Sequence, residues 1–302
     1  MAVSSRSEFV DFVVPLWERL KLYNRTRSPY DQPQNDAADI TKRVPQGFID
    51  AMIVREEVFV KEQNIPLENE LDEDDERSFH WTAYASIPIK AVSPELRAQN
   101  GHGEQNGNGE TDPNRRVSNS TKIPVGTIRL VPPPHPPHPT PGTHHPADAL
   151  DTAVDGDGRK DSTVVHDGRE AYIKLGRLAV IPEFRKAGIS KLLIETALAF
   201  ARNRPYDIMP QHDPTMVEAL RQESDGGAGM DFKGLVLVHA QVGVQKVWKK
   251  YGFEYDESMG VWDEEGIDHV GMWKRLDVEP GRRKSKQFPL GSPIGSPISG
   301  PN

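Results

Sequence analysis

The chain of 302 residues contains no cysteine. This absence excludes disulfides, thiol catalysis and cysteine-ligated metal sites, and it fits a reducing compartment. Positive charge is in the minority, because 37 Lys and Arg stand against 45 Asp and Glu and give a formal net charge of −8. Nucleic-acid binders need a basic face for phosphate contacts, so we expect no nucleic-acid partner.

Long apolar runs are also missing. The N-terminal apolar patch contains Glu8 and Asp11 and is followed by Trp17-Glu18-Arg19, whereas a signal peptide needs a longer uncharged run. No stretch approaches the roughly 20 apolar residues of a membrane-spanning helix. We therefore expect a soluble, cytoplasmic protein without a membrane partner. Nuclear import is the alternative, because the cluster 282–286, Arg-Arg-Lys-Ser-Lys, is typical of import sequences.

Proline and glycine, with 26 and 25 residues, are abundant but concentrated in polar stretches that lack core-forming residues. We expect a disordered basic and Ser-Pro-rich tail at 279–302, and disordered insertions at about 88–122, 132–168 and 205–232. What remains is an N-terminal segment, 1–45, and one domain of ordinary size, 46–278. The histidines of the second insertion build no closed ligand shell, so we predict no metal site at His135, His138, His144 and His145.

Hydrophobic periodicity places the elements of the domain. Helical spacing recurs in 46–62, from Ile189 to Pro205 and in 244–251, while residues 8–17 fit an edge strand or a short helix. Apolar runs predict strands at 79–86, 125–131, 171–181 and 235–238, with a terminal pair in 253–276. Arg177 is ionisable within one of these strands, so we expect it to have a carboxylate partner. This order of elements predicts an α/β domain on a mixed central sheet with flanking helices.

The turn 185–190, Arg-Lys-Ala-Gly-Ile-Ser, joins a predicted strand to a predicted helix. The first N–H groups of a helix have no partner within the helix, and the helix dipole is positive at this end, so the turn is suited to bind an anion. Gly188 permits close approach of a phosphate to the backbone, and Arg185 and Lys186 add positive charge. The alternative is an ordinary strand–helix turn with exposed basic side chains.

Residues 178–193, Leu-Ala-Val-Ile-Pro-Glu-Phe-Arg-Lys-Ala-Gly-Ile-Ser-Lys-Leu-Leu, resemble the coenzyme A-binding motif of the GNAT acetyltransferase superfamily. That motif is a strand ending in Val-x-Pro, then Arg/Gln-x-x-Gly-x-Gly/Ala, then a helix. Residues 239–253 resemble the second signature, an Asn or Gln after a strand followed by a helix that ends in Gly-Phe. Residues 58–80 and 263–272 are similar to signatures of the ElaA-like branch, so the resemblance covers most of 46–276.

The resemblance implies a GNAT-type acyl-CoA N-acyltransferase fold. In that fold acetyl-CoA lies in a cleft where two parallel strands splay apart, here those at 171–181 and 235–241. The loop amides would bind the pyrophosphate, the strand main chain would pair with the pantetheine arm, and one strand amide would face the thioester oxygen. The implied cosubstrate-binding residues are Leu178, Ala179, Val180, Arg185, Lys186, Ala187, Gly188, Ile189, Ser190 and Gln241.

The chain departs from the family pattern at two positions. Ser190 replaces the last glycine of the loop motif, and its hydroxyl can itself donate to a phosphate. Trp248 stands where the family often has a general-acid tyrosine, and an indole does not supply a proton. Tyr251, on a neighbouring part of the same helix, is a candidate acid, and a packing role at the helix end is the alternative.

The implied reaction is direct acetyl transfer to an amine in a ternary complex. A free alkylamine has a pKa near ~10, so a group must take its proton, and the departing thiolate must receive one. Glu62 and His239 are the candidate bases. His80, Asp72 and Asp75 are candidates for the acceptor side, where carboxylates would attract a cationic amine. The structural alternatives are that Glu62 is a helix-end carboxylate, that His80 is a strand residue, and that the acidic segment is a solvated loop.

The resemblance therefore favours an N-acetyltransferase that uses acetyl-CoA, but no metal, to acetylate a small amine or a protein lysine side chain. Amino-sugar acetylation is a narrower alternative. A non-catalytic acyl-CoA-binding regulatory module is the alternative of a different class, and Trp248 in place of tyrosine supports it. The sequence assigns no oligomeric state.

Overall fold

The computed structural model describes residues 9–32, 43–88, 120–145, 162–208 and 232–278. The tail 279–302 and the middle of each predicted insertion lie outside these ranges. Within them, no helix is both long enough and apolar enough to cross a membrane.

In the described parts of the chain, nine strands form one central sheet. Its order is β1-β2-β3-β5-β6-β9-β8-β4, with β7 pairing with β9. The pairs β5/β6 and β4/β8 are parallel and the other pairs are antiparallel. The strands are Val10–Val13, Phe79–Pro88, Ser120–Val131, His144–His145, Tyr172–Val180, Leu235–Gln241, Glu254–Tyr255, Val261–Glu264 and Ile267–Arg275, numbered β1 to β9 in this order. The predicted α/β fold on a mixed central sheet with flanking helices is confirmed, and the N-terminal patch forms an edge strand.

The N-terminal helix changes its geometry halfway along. Helix α1, Gln46–Arg55, continues without a break as a π-helix, Glu56–Glu62. The predicted helix over 46–62 is therefore present, but its second half has wider turns, a form that is often found at functional sites. Two short elements follow in the acidic run, α2 at Leu67–Glu70 and a 3-10 turn at Glu73–Arg77.

Helix α3, Ile189–Asn203, covers the opposite face of the sheet from α1. It buries Leu193, Ile194 and Ala197 against Ile128 and Ile173 of the sheet, because these apolar residues recur on one side of the helix. Leu192 belongs to the same apolar spacing but is exposed. Helix α4, Pro205–Ile208, follows directly, and α5, Gln245–Lys249, is the short helix predicted at 244–251 within the second signature.

The described ends of the predicted insertions are packed, which corrects the expectation of disorder there. The rings of His135 and His166 stack within 5.5 Å of Tyr172 and Trp273, on the face of β5 and β9. Imidazole rings bury flat apolar faces in this way, and composition alone classes them as polar. Strands β2 and β3 extend into the first predicted insertion, and Ile208 and Phe232 are buried at the ends of the third.

Candidate active site

The parallel strands β5 and β6 separate halfway along their length. They pair only from Tyr172↔Leu235 to Leu175↔Val238, although β5 runs on to Val180 and β6 to Gln241. Just beyond the last pair, the register between β3 and β5 shifts, and Arg177 has a φ of 49°. A bulge of this kind bends a strand, so the two strands diverge and open a cleft at the place where the sequence predicted one.

The cleft has a volume of about 1070 Å³. Its floor is the diverging parts of β5 and β6, and its walls are the end of the π-helix, the acidic run and the turn between β8 and β9. Among the ten predicted cosubstrate-binding residues, eight line it: Leu178, Ala179, Val180, Arg185, Lys186, Ile189, Ser190 and Gln241.

The main chain of β5 offers hydrogen-bonding groups along one side of the cleft. The Ile181 N–H donates to the Val125 carbonyl on β3 at 3.0 Å. Because successive residues of a strand direct their main-chain groups to opposite neighbours, those of Leu178 and Val180 point toward the side where β6 has departed. The Val180 carbonyl accepts from Arg185 Nε at 3.0 Å. The N–H groups of Leu178 and Val180 and the Leu178 carbonyl thus face the space between the strands.

The loop that begins α3 has the form of an anion site. Gly188 is the N-cap residue with a φ of 86°, and no side chain caps the helix there. A Cβ at this position would meet nothing within 4 Å, so the space above the backbone is open. Residues 185–188 are exposed, and α3 is 15 residues long, so its first N–H groups and its dipole face this space.

Glu62, a candidate base, is bound to the loop. Both of its carboxylate oxygens accept hydrogen bonds from the Arg185 guanidinium, one of them at 2.8 Å. These bonds lower the pKa of Glu62. Both side chains are about 40% exposed, so the pair lies at the rim of the cleft. Deeper in, Gln241 Nε2 donates to Gln63 Oε1 at 3.1 Å and joins the end of β6 to the end of the π-helix.

His239, the other candidate base, lines the cleft at the end of β6. Its Nδ1 is 3.0 Å from Glu264 Oε1, and its buried Nε2 has no hydrogen-bond partner among the described residues. Burial, Lys174 and His269 lower the pKa of His239 to about 4, although Glu264 opposes this shift. The imidazole is therefore neutral near pH 7.

The carboxylates of the acidic run are paired with arginines. Asp72 lines the cleft and binds Arg129 at 2.5 Å and Arg177 at 2.9 Å. The predicted carboxylate partner of Arg177 is thus confirmed. Asp75 is fully buried between Arg55 at 2.7 Å and Arg129 at 2.9 Å. Burial would raise the pKa of Asp75, but the two guanidinium groups hold it well below its usual range.

Two further candidates lie away from the cleft lining. His80 is buried in the sheet, where Nε2 donates to the Asp75 carbonyl at 3.1 Å and the ring packs edge-on against Phe48. Tyr251 is half-buried against the core beside α3, and burial raises its pKa. Trp248 does line the cleft, and its ring packs edge-on against Phe253.

Sequence reasoning did not identify several residues of the site. Glu264 and Gln63 lie in segments that carried the resemblance, but their partners are distant in sequence. Lys174 and Arg129 alternate with apolar residues in their strands, which is typical of solvent-facing positions. In the structure both line the cleft. Period-two alternation would have placed them on a common face of the sheet.

Comparisons with known proteins give the following similarities. No family model matches the chain. Over 56 residues, 18% of its length, the chain is 46% identical to the uncharacterized N-acetyltransferase YjcF of Bacillus subtilis, and the match spans 39% of that protein. An acyl-CoA N-acyltransferase from Pseudomonas aeruginosa has 17% identity and a TM-score of 0.36, covering 76% of this chain and 92% of that one.

Escherichia coli ElaA has 15% identity and a TM-score of 0.25, covering 64% of this chain and 99% of that one. Both TM-scores lie below 0.5, so the proposals that follow rest on the residues of this chain. Membership of the ElaA-like branch stays a prediction.

Proposed function

We propose that this chain is an acetyl-CoA-dependent N-acetyltransferase of the GNAT superfamily, in its ElaA-like branch. The observation that carries the proposal is the separation of β5 from β6 directly beside the uncapped start of α3. One side of the resulting cleft presents main-chain groups and its end presents an anion site. A long, thin ligand that has a pyrophosphate at one end and amide groups along its arm fits both features.

The proposed binding mode follows from these groups. The N–H groups at the start of α3 and Ser190 would hold the pyrophosphate, with Arg185 and Lys186 beside it. The free main-chain groups of Leu178 and Val180 would pair with the amides of the pantetheine arm. When bound, acetyl-CoA supplies the activated acetyl group. A strand N–H near the thioester would stabilise the negative charge that develops on its oxygen.

Of the proposed catalytic residues, His239 has the strongest support, because it lines the cleft and its Nε2 is free to accept a proton. Glu62 is held by Arg185 at the rim, and Tyr251 packs beside α3, so their positions favour an ion pair and core packing over proton transfer. Asp72 is the acidic residue best placed for the acceptor side, whereas Asp75 and His80 are enclosed. The proposed acceptor is a primary amine, either a small molecule or a lysine side chain.

The test is to measure acetyl-CoA binding by calorimetry and free thiol release with small amines, amino sugars and lysine peptides. Gly188→Glu is expected to weaken acetyl-CoA binding by at least about 10-fold, because it sets a negative charge against the pyrophosphate and removes close backbone approach. Gly142→Glu is the matched control, since Gly142 also has a positive φ, 75°, and open space at its Cβ. It lies outside the cleft lining, and binding should be unchanged.

Two results would contradict the proposal. If Gly188→Glu binds acetyl-CoA as tightly as the native chain, the loop is not the pyrophosphate site. If the native chain binds acetyl-CoA tightly but releases no thiol with any amine, the chain is a non-catalytic acyl-CoA-binding module. The buried Trp248 in place of a tyrosine is the observation that favours this second function.

A further inference from the structure

Strands β6 and β8 bring three side chains together beside the cleft. Glu264 Oε1 accepts hydrogen bonds from His239 Nδ1 at 3.0 Å and from Trp262 Nε1 at 2.6 Å. The ring of Trp262 also packs edge-on against the His239 ring, with centroids 4.9 Å apart. One carboxylate oxygen and one aromatic ring therefore fix the orientation of the imidazole.

The same contacts fix which nitrogen of His239 carries the proton. Burial would raise the pKa of Glu264, but the hydrogen bond from His239, the nearby His269 and the indole N–H hold it well below its usual range. The carboxylate is therefore ionised and can only accept, so Nδ1 of His239 must donate. In the neutral ring the lone pair is then on Nε2.

That lone pair accepts no hydrogen bond from the described residues. Nε2 is buried and has no partner among the residues that the structure describes, which costs about 1–3 kcal/mol for a buried acceptor. His239 is the first residue of β6 beyond Val238, the last residue paired with β5. The charged and titratable groups around it are Lys174 on β5, Glu264 on β8 and His269 on β9. An unpaired acceptor is thus maintained where the strands begin to open.

We propose that Glu264 is a positioning residue that holds His239 Nε2 as the proton acceptor for the acceptor amine, an assignment that rests on the proposed function. As the neutral amine nitrogen bonds to the thioester carbon, its N–H becomes acidic, and Nε2 takes that proton. The C–S bond breaks, and the same proton passes from Nε2 to the departing thiolate. Amine and thioester become amide and thiol, and Glu264 stabilises the transient imidazolium.

The test is a double-mutant cycle of His239→Gln and Glu264→Gln, with kcat measured from thiol release. General base catalysis contributes roughly 100-fold or more, so His239→Gln should lower kcat by about that factor. Glu264→Gln should lower it by about 10-fold, and the double variant should be no slower than His239→Gln, because Glu264 acts through His239. The KM for acetyl-CoA should be unchanged. Glu257→Gln, exposed and outside the cleft lining, is the matched control.

If the losses of kcat in the two single variants multiply in the double variant, Glu264 acts independently of His239. That result would overturn the assignment and leave the proposed function intact. Absence of thiol release by the native chain would overturn both. Nitrogen NMR of the histidine ring tests the assignment without turnover. It should show the proton on Nδ1 in the native chain, and a proton on Nε2 would overturn the proposal.

Discussion

Arg185 and Glu62 show how one contact can change the interpretation of a residue. Sequence reasoning treated Arg185 as a phosphate ligand and Glu62 as a candidate base, yet the two side chains bind each other at the rim of the cleft. A carboxylate and a pyrophosphate are competing partners for the same guanidinium fork. The pair would therefore oppose the proposed binding of acetyl-CoA at the loop.

At this residue, we expect Glu62→Gln to tighten acetyl-CoA binding by about 2- to 5-fold at low salt, because exposed ion pairs are worth at most about 1 kcal/mol. Calorimetry at low and high ionic strength measures the effect, which should shrink as salt screens the charges. In an Arg185→Gln background, Glu62→Gln should change the affinity for acetyl-CoA no more than the loss of one distant charge does. Weaker binding by Glu62→Gln would instead show that Glu62 orients Arg185 for the phosphate.

At the scale of single residues, the sequence predicts local features, but it does not predict most contacts between residues that are distant in the chain. The loop 185–190 and the carboxylate partner of Arg177 could be predicted, since one is a local pattern and the other follows from the cost of a buried charge. The burial of His80 and the joining of His239 to Glu264 depend on strand register, which no local pattern specifies.

At the scale of elements, the acidic run 68–76 is held in a defined structure by helix α1. Arg55, the last residue of α1, is fully buried and binds Glu70 at 2.5 Å and Asp75 at 2.7 Å. The run therefore forms two short ordered elements whose Asp72 carboxylate reaches the cleft. A count of acidic residues predicts a solvated loop, because composition does not show that a buried arginine pairs with these carboxylates.

Removing that arginine should unfold the run or the protein. We expect Arg55→Met to lower the free energy of unfolding by about 3–5 kcal/mol, because two buried carboxylates lose their partner. Urea denaturation at pH 7 measures this loss. Arg202→Met, at an exposed position in the last turn of α3, should change stability by less than about 0.5 kcal/mol. A loss below about 1 kcal/mol for Arg55→Met would show that Arg129 compensates alone.

The elements that sequence reasoning placed correctly are those with a clear period: β2, β3, β5, β6 and α3. The π-helix was missed because its apolar spacing differs little from that of an α-helix over seven residues. The packed segments around His135 and His166 were missed because their contacts with Tyr172 and Trp273 are tertiary.

For the molecule as a whole, three histidines whose pKa values are lowered in the fold link stability to pH. Burial is the main cause that lowers the pKa of His80 and of His239 to about 4 and that of His135 well below its usual range, whereas the value in an unfolded chain is about 6.5. Between these values the unfolded chain binds more protons than the folded one, so acidification stabilises the unfolded state. The carboxylates of Asp75 and Glu264, whose pKa values are lowered, act in a different window. Their contribution is lost only as the pH falls below about 4.

Stability should therefore fall before Asp75 or Glu264 is protonated. From pH 7 to pH 5.5 we expect the free energy of unfolding to drop by roughly 3–4 kcal/mol, about 1.4 kcal/mol per pH unit below 6.5 for each histidine. Urea denaturation across this range measures the slope. His80→Gln should remove about one third of it, whatever its effect at pH 7. If His80→Gln keeps the full slope, then His80 does not stay neutral in the folded chain and its placement in the core of the sheet is wrong.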